Sequence, residues 1–336
     1  MYKSQVTRIN KDLKNTKRAI IAIGCSFVQG QGAFDDELYE NFKWKYTEGL
    51  PLVIDASSKE RKRISKNYQG VSNSMHGMDF TMMEYKNAFV SVLCNKYFNG
   101  KYTPINLGLR GCGNRASIKE LYMYPEINYN ELKEIIVLYM PSGLERFDFV
   151  NDVAVDHFNW KCMWPHYKDM EESPRKTLWE GYAKTLSSDK FEVIEQLAHV
   201  QELMSWCKSK KAKLIITPGF DRRYDKDYFR ECLSKEVTRK DELFVKSTKP
   251  ILSKSASDKT NLLELFPWNN MFKPDGHTTF ADLVIAQEDK LDDKHDHYFQ
   301  FLGKGSYNGW MTPCSHPSQK GHDLFAKHLY NYINNI

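Results

Sequence analysis

The chain lacks the patterns that mark several common classes of protein. Its seven cysteines are scattered through 336 residues without a CxxC pair, so neither a disulfide framework nor a zinc site is indicated. We therefore expect a reducing compartment. No apolar run is long enough to span a bilayer, and the charged N-terminal stretch has no apolar core of a secretory signal. The sequence predicts no membrane segment and no signal peptide.

A strong excess of one charge is also missing. The chain has 48 basic and 43 acidic residues, for a net charge of +5, which is not the footprint of a dedicated nucleic-acid binder. We therefore expect no nucleic-acid partner. Hydrophobic residues make up 41% and aromatic residues 13%, which is typical of a folded globular protein. The length suits one large α/β domain with a substantial core.

Short apolar runs alternate with amphipathic segments along the chain. The runs at 19–23, 103–108, 133–141 and 212–220 predict strands, and the segments at 79–98, 114–124, 191–211 and 318–333 predict helices. This alternation favours a three-layer α/β/α fold with a mainly parallel central sheet in a flavodoxin-like order. Two stretches interrupt it, at about 28–79 and 221–310. We interpret them as insertions into a single domain that covers residues 1–336.

In an open parallel sheet, ligands bind at the carboxyl ends of the strands, so the residues that follow each predicted strand are informative. Gly24-Cys25-Ser26-Phe27 follows the first strand and the stretch NLGLRGCGN, which contains Gly111 and Asn114, follows the second. PSGLER, with Ser142 and Arg146, follows the third. The stretch SHPSQKGH, with His316, precedes the last helix.

These blocks, in this order, resemble the SGNH or GDSL-like hydrolase family, in a divergent form found in tailed bacteriophages and bacteria. The resemblance implies that Ser26 is a nucleophile and that His316 takes its proton, since a serine hydroxyl needs such a base to attack. It also implies an oxyanion hole formed by the backbone amides of Ser26 and Gly111, to which the side chain of Asn114 adds a third donor. Arg146 and Ser142 are candidate substrate contacts.

Two positions depart from the family pattern. Ser142 or Gly143 falls where the family has the asparagine of its third block. Pro313 falls three residues before His316, where the family has the acid that orients the histidine. Asp221 and Asp275 are alternative candidates for that acid, and a Ser-His dyad without an acid is the other interpretation.

Two functions follow from the resemblance. The first is a serine esterase or acyl-hydrolase that acts on acetyl or acyl esters, with surface glycans among the candidate substrates. The second is a weakly active or inactive SGNH-fold protein that binds glycans or serves in the virion or its assembly, with virion proteins as partners. Either function places the protein in the cytoplasm of a host cell or on a virion. Neither requires a cofactor or a metal.

Other interpretations of these residues stay open at the level of sequence. Ser26 can be a helix cap, because serine is favoured at that position. The glycines around Gly111 can form a tight turn or cradle a phosphate. Arg146 can bind a substrate carboxylate or pair with a nearby acid such as Glu145 or Asp148. The acidic and histidine residues at 292–297 are typical of a solvated loop rather than a metal site.

Three further residues are interpreted as structural. His322 and His328 are expected on the face of the last helix, because both lie within its amphipathic segment. Cys25 is expected to be a small buried residue, because a strand would point it away from the side that Ser26 faces.

Overall fold

The structure is a computed structural model that describes residues 16–30, 33, 84–109, 111–123, 128–151, 159–163, 176–177, 180–182, 188–234, 262–287, 310 and 316–336. The strands are β1 (Arg18–Gly24), β2 (Thr103–Asn106), β3 (Glu134–Met140), β4 (Phe147–Asn151), β5 (Asn159–Met163) and β6 (Lys213–Ile216). The helices are α1 (Ser26–Gln29), α2 (Phe89–Val92), α3 (Asn114–Met123), α4 (Asp189–Lys210), α5 (Lys226–Ser234), α6 (Phe280–Ile285) and α7 (Gln319–Asn334).

A four-stranded parallel sheet forms the centre of the fold, with the strand order β2-β1-β3-β6. The α/β prediction is therefore confirmed, and each of the four predicted strands is present. The order is the one with which a flavodoxin-like sheet begins. Because β1 and β3 are inner strands, both of their faces are buried, and their sequences are accordingly apolar at successive positions.

The side chains of β1 divide between two hydrophobic clusters. Ile20 and Ala22 lie in one cluster, and Ala19, Ile21 and Ile23 lie in the other, because successive residues of a strand point to opposite faces. The first cluster includes residues of α2, α6 and α7, and the second includes residues of α3, α4 and α5. Helices thus pack on both faces of the sheet, which leaves the strand ends as the place where loops meet.

The helix that the sequence predicts over 79–98 is interrupted in its described part. Residues 84–87 are helical, Ala88 is extended with φ −60° and ψ 147°, and α2 then begins and passes into a π-helical turn over Leu93–Tyr97. The break leaves the backbone N–H groups at the start of α2 in need of acceptors.

An antiparallel pair, β4 and β5, follows β3 and was not anticipated from the sequence. Its short strands follow the apolar β3 without the turn signals that identify a hairpin. The pair begins directly beyond the carboxyl end of β3, next to the other strand ends.

The described part of the second predicted insertion contributes to the core. Phe266 lies in one hydrophobic cluster and Phe280 in the other. The backbone N–H of Phe272 donates to the carbonyl of Ile216 at 2.8 Å, so this segment runs along the outer edge of β6. An edge strand covered in this way is protected from pairing with other chains. Residues 34–83, 235–261 and 288–309, and with them most of both predicted insertions, lie outside the described residues.

Candidate active site

Ser26 lies on a sharp turn between β1 and α1. Gly24, the last residue of β1, has a φ of +154°, and a Cβ atom at this position would lie 2.4 Å from the carbonyl oxygen of Met140. Cys25 precedes the helical turn, and Ser26 is its first residue. The N–H of a first helical residue has no acceptor within its own helix. The turn therefore leaves the hydroxyl and the N–H of Ser26 at the carboxyl edge of the sheet.

The buried side chain of Asn106, at the end of β2, holds this turn in place. Its Nδ2 donates to the carbonyl of Val28 at 2.8 Å, and its Oδ1 accepts from the N–H of Gly108 at 2.9 Å. A Cβ atom on Gly108 would lie 2.3 Å from the backbone nitrogen of Gln29, so only glycine permits this approach. Asn106 thus binds the two strand ends together, a role that its position in the sequence did not reveal.

His316 lies directly against Ser26, although 290 residues separate them in the chain. The distance from Ser26 Oγ to His316 Nε2 is 2.7 Å, and both side chains are buried. The imidazole also packs against the ring of Phe27, with 5.2 Å between the ring centroids. His316 is followed by Pro317 and by Ser318, which caps α7 through its hydroxyl. The start of the last helix therefore sets the position of the imidazole.

The glycine turn, residues 111–113, lies beside the end of β1. The N–H of Leu109 donates to the carbonyl of Gly24 at 2.8 Å, and Cys112 Sγ lies 3.5 Å from the same oxygen. Gly111 has a φ of +65°, a conformation that glycine adopts without strain. The turn that contains Gly111 is thus adjacent to the strand that presents Ser26.

Asn114 makes its contacts within the fold. Its Oδ1 accepts from the backbone N–H of Ser142 at 2.8 Å, and its Nδ2 donates to the hydroxyl of Tyr224 at 2.8 Å. The hydroxyl of Tyr224 donates in turn to the carbonyl of Ser142 at 3.0 Å. Tyr224, which sequence reasoning missed, therefore ties the start of α3 to the end of β3. Its burial raises its pKa well above the usual range, so it remains a neutral donor.

Ser142, a candidate substrate contact, is enclosed in this structure. Its side chain is 0% exposed, and its Oγ lies 3.3 Å from Asn114 Oδ1. A hydroxyl that is enclosed and bonded in this way stabilises the packing between β3 and α3.

Arg146 lies at the periphery of the site. Its Nη1 donates to the carbonyl of Cys112 at 3.0 Å, and its guanidinium lies 5.1 Å from the ring centroid of Phe220. Phe220 packs against Phe27, which in turn contacts His316. Glu145, one of the acids considered as its partner, forms an ion pair with Arg223. Arg146 is therefore linked to the Ser26–His316 pair by a row of aromatic rings.

The candidate acids for His316 occupy other places. Asp221 accepts from the N–H of Leu144 at 2.9 Å and pairs with Arg223 at 2.7 Å, while its burial raises its pKa to about 6. Asp275 is exposed, in a 3₁₀ turn over Pro274–Gly276. Pro313 lies outside the described residues. These contacts hold Asp221 against Arg223 and the loop after β3.

His322 lies on the buried side of α7, and Cys25 is buried as expected. The Nδ1 atom of His322 accepts from the backbone N–H of Phe89 at 3.1 Å, and its ring stacks on that of Phe89. It therefore satisfies an N–H group that the break at Ala88 leaves open. Burial, with a smaller effect of His316, lowers the pKa of His322 to about 3. His328, on the same helix, is half-buried.

The buried histidines predict a loss of stability in mild acid. In the unfolded chain His322 becomes protonated as the pH falls below about 6.5. In the folded protein it stays neutral until the pH approaches its lowered pKa of about 3. The free energy of unfolding should therefore fall by about 2 kcal/mol between pH 7 and pH 5 from this residue alone. His199, whose pKa burial lowers to about 4, adds to the loss. Urea unfolding at both pH values measures the difference, which we expect to be smaller in His322→Gln; an unchanged difference would contradict the assignment.

Comparison with family models, with curated proteins and with solved structures finds no match for this chain. No helix within the described ranges is long and apolar enough to cross a membrane. In that same part of the chain, no three His, Cys, Asp or Glu side chains are grouped so that they could hold a metal ion. The acidic and histidine residues at 292–297 lie outside it.

Proposed function

We propose that this protein is a serine ester hydrolase of the SGNH type, which removes acetyl or acyl groups through Ser26 and His316. The observation that carries the proposal is the 2.7 Å contact between Ser26 Oγ and His316 Nε2 at the carboxyl edge of a parallel sheet. Nucleophile and base must lie within hydrogen-bond distance for the base to accept the proton as attack begins. The three-layer arrangement of that family, with two insertions, is part of the same proposal.

The reaction proceeds in two steps, acylation of Ser26 and hydrolysis of the acyl-serine. Ser26 Oγ attacks the ester carbonyl carbon while His316 Nε2 takes the hydroxyl proton. The tetrahedral intermediate then collapses, the bond to the alcohol oxygen breaks, and the proton passes from His316 to the departing alcohol. In the second step a water molecule gives its proton to His316 and attacks the acyl-serine. Return of that proton to Ser26 Oγ releases the carboxylic acid.

The negative charge of the intermediate requires nearby donors. The N–H of Ser26, at the first position of α1, and the N–H of Gly111, in the adjacent turn, are the two that we assign. Asn114 is the nearest candidate for a third donor, and its Nδ2 already donates one hydrogen bond to the hydroxyl of Tyr224. The oxyanion hole therefore consists chiefly of backbone N–H groups. Orienting these groups does not cost side-chain conformational entropy.

The substrate class follows from the surroundings of the pair. Phe27 and Phe220 supply apolar surface next to His316, and Arg146 remains a candidate contact for an anionic group on the substrate. Because Pro313 occupies the place of the family's acid, we expect slow turnover on small activated esters. Acetylated or acylated surface glycans are the natural substrates that the resemblance of its motifs to the SGNH family suggests.

Covalent labelling by a fluorophosphonate tests the proposal directly, because only an activated serine reacts quickly with it. We expect labelling on Ser26, located by mass spectrometry of the peptides, together with measurable hydrolysis of p-nitrophenyl acetate. Ser26→Ala should abolish both signals. Ser205→Ala, which removes an exposed serine from α4, is the matched control and should keep both. If the wild-type protein is not labelled and shows no turnover that depends on Ser26, the esterase function is excluded. The alternative, a binding or assembly role, is then favoured.

A further inference from the structure

Two charged side chains, those of Arg146 and Asp148, hold the glycine turn at residues 111–113. Arg146 and Asp148 flank Phe147 at the start of β4, so their side chains emerge on the same side of the strand. The carboxylate of Asp148 accepts from the N–H of Gly113 at 2.7 Å through Oδ1. Its Oδ2 accepts from the N–H of Ala116 at 2.9 Å.

The guanidinium of Arg146 completes the arrangement. Its Nη1 donates to the carbonyl of Cys112 at 3.0 Å. Both hydrogen-bonding groups of the Cys112–Gly113 peptide are therefore engaged, the N–H of Gly113 by an acceptor and the carbonyl of Cys112 by a donor. Hydrogen bonds to charged partners are stronger than those between neutral groups, which makes this a firm attachment.

These contacts differ from an ordinary helix cap. A cap residue lies next to the helix that it stabilises, whereas Asp148 follows Gly113 by 35 residues and belongs to another element. Its side chain is buried, and a Cβ atom on Gly113 would lie 2.6 Å from Asp148 Oδ2. The turn thus contacts the end of β1, through Cys112 Sγ and the carbonyl of Gly24, and also β4, through Asp148.

We propose that Asp148, assisted by Arg146, is a positioning residue that fixes this turn so that the N–H of Gly111 faces the oxyanion formed at Ser26. The inference rests on the proposed function. An oxyanion donor contributes most when it is already oriented toward the developing charge, because no reorganisation is then needed during the reaction. Asp148 supplies that orientation through the backbone and makes no contact with the substrate.

Steady-state kinetics on p-nitrophenyl acetate distinguishes positioning from general stabilisation. A donor that acts only in the transition state affects kcat and leaves KM nearly unchanged. Asp148→Ala should lower kcat by about 10- to 100-fold, with KM within about twofold of the wild-type value. Ser188→Ala removes the cap of α4, which accepts from the N–H of Phe191, and is the control for the loss of a helix cap alone.

Gly113→Ala provides a second, independent variant. Its new methyl group meets the Asp148 carboxylate, so it should lower kcat in the wild-type background and much less in Asp148→Ala, where that carboxylate is gone. Non-additivity of this kind reports contact between the two positions. If Asp148→Ala does not fold, as judged by circular dichroism, Asp148→Asn carries the test, because it keeps the volume and loses one acceptor.

The outcomes separate the two proposals. Unchanged kcat in folded Asp148→Ala or Asp148→Asn, alongside an active wild type, overturns the positioning role and leaves the esterase intact. The same holds if Ser188→Ala lowers kcat as much, or if the effects of Gly113→Ala and Asp148→Ala are additive. A wild type without turnover that depends on Ser26 overturns both proposals. A selective loss of kcat with non-additivity supports the positioning role.

Discussion

Replacing His316 by alanine will lower kcat for p-nitrophenyl acetate by ~10³-fold or more while the protein stays folded. The imidazole lies 2.7 Å from Ser26 Oγ, and the substitution removes the group that is placed to take the proton of the hydroxyl. A serine hydroxyl without a base is a weak nucleophile, so the acylation step loses most of its rate.

The double variant gives a sharper form of this prediction. In the proposed mechanism Ser26 and His316 act as one unit, so Ser26→Ala combined with His316→Ala should be about as inactive as either variant alone. His328→Ala is the matched control, because it removes a half-buried histidine of α7 that has no place in the proposed mechanism. Activity that survives in His316→Ala, or losses that multiply in the double variant, would show that the pair does not act together.

Gly24→Ala should be the most destabilising small substitution at the site, with a loss of about 3 kcal/mol or more. A Cβ atom at this position would lie 2.4 Å from the carbonyl oxygen of Met140 and 2.6 Å from Val28 Cγ2, and the φ of +154° is one that other residues rarely adopt. The neighbouring carbonyl belongs to the inner strand β3 and has little freedom to move. The variant must therefore shift the end of β1 and, with it, Ser26.

Gly100→Ala is the control that separates backbone strain from the steric clash with Met140 and Val28. Its φ is +73°, but a Cβ atom there would meet nothing within 4 Å, so it carries backbone strain without a clash. We expect it to cost only about 1 kcal/mol. Urea unfolding of both variants measures the difference. Equal losses would mean that the contact with Met140 does not restrict this turn.

The amino-acid sequence by itself determined the central sheet. The apolar runs that became β1 and β3 are buried on both faces, and the alternation with amphipathic segments required parallel pairing. It also determined that Ser26, the glycine turn and Arg146 follow strands, because strand ends are readable from where an apolar run stops. The carboxyl ends of parallel strands share one edge, so proximity of these residues followed from topology alone.

Other features depended on contacts between distant segments. The break at Ala88 and the packing of the segment around Phe272 along β6 have no local signal, because residues far away in the chain stabilise them. The pair of β4 and β5 lacks the turn residues that identify a hairpin in a sequence. Sequence reasoning therefore missed Tyr224 and the hydrogen bonds that Asp148 accepts from the N–H groups of Gly113 and Ala116.

The same distinction applies within the site. The motif around His316 indicated a base for Ser26, but only the tertiary structure decided that the imidazole lies at hydrogen-bond distance, since the start of α7 sets its place. Sequence likewise offered Ser142 as a substrate contact, and the structure encloses it. The sequence specifies the chemical type of each side chain, whereas the direction of the side chain and its contacts depend on how the surrounding elements pack.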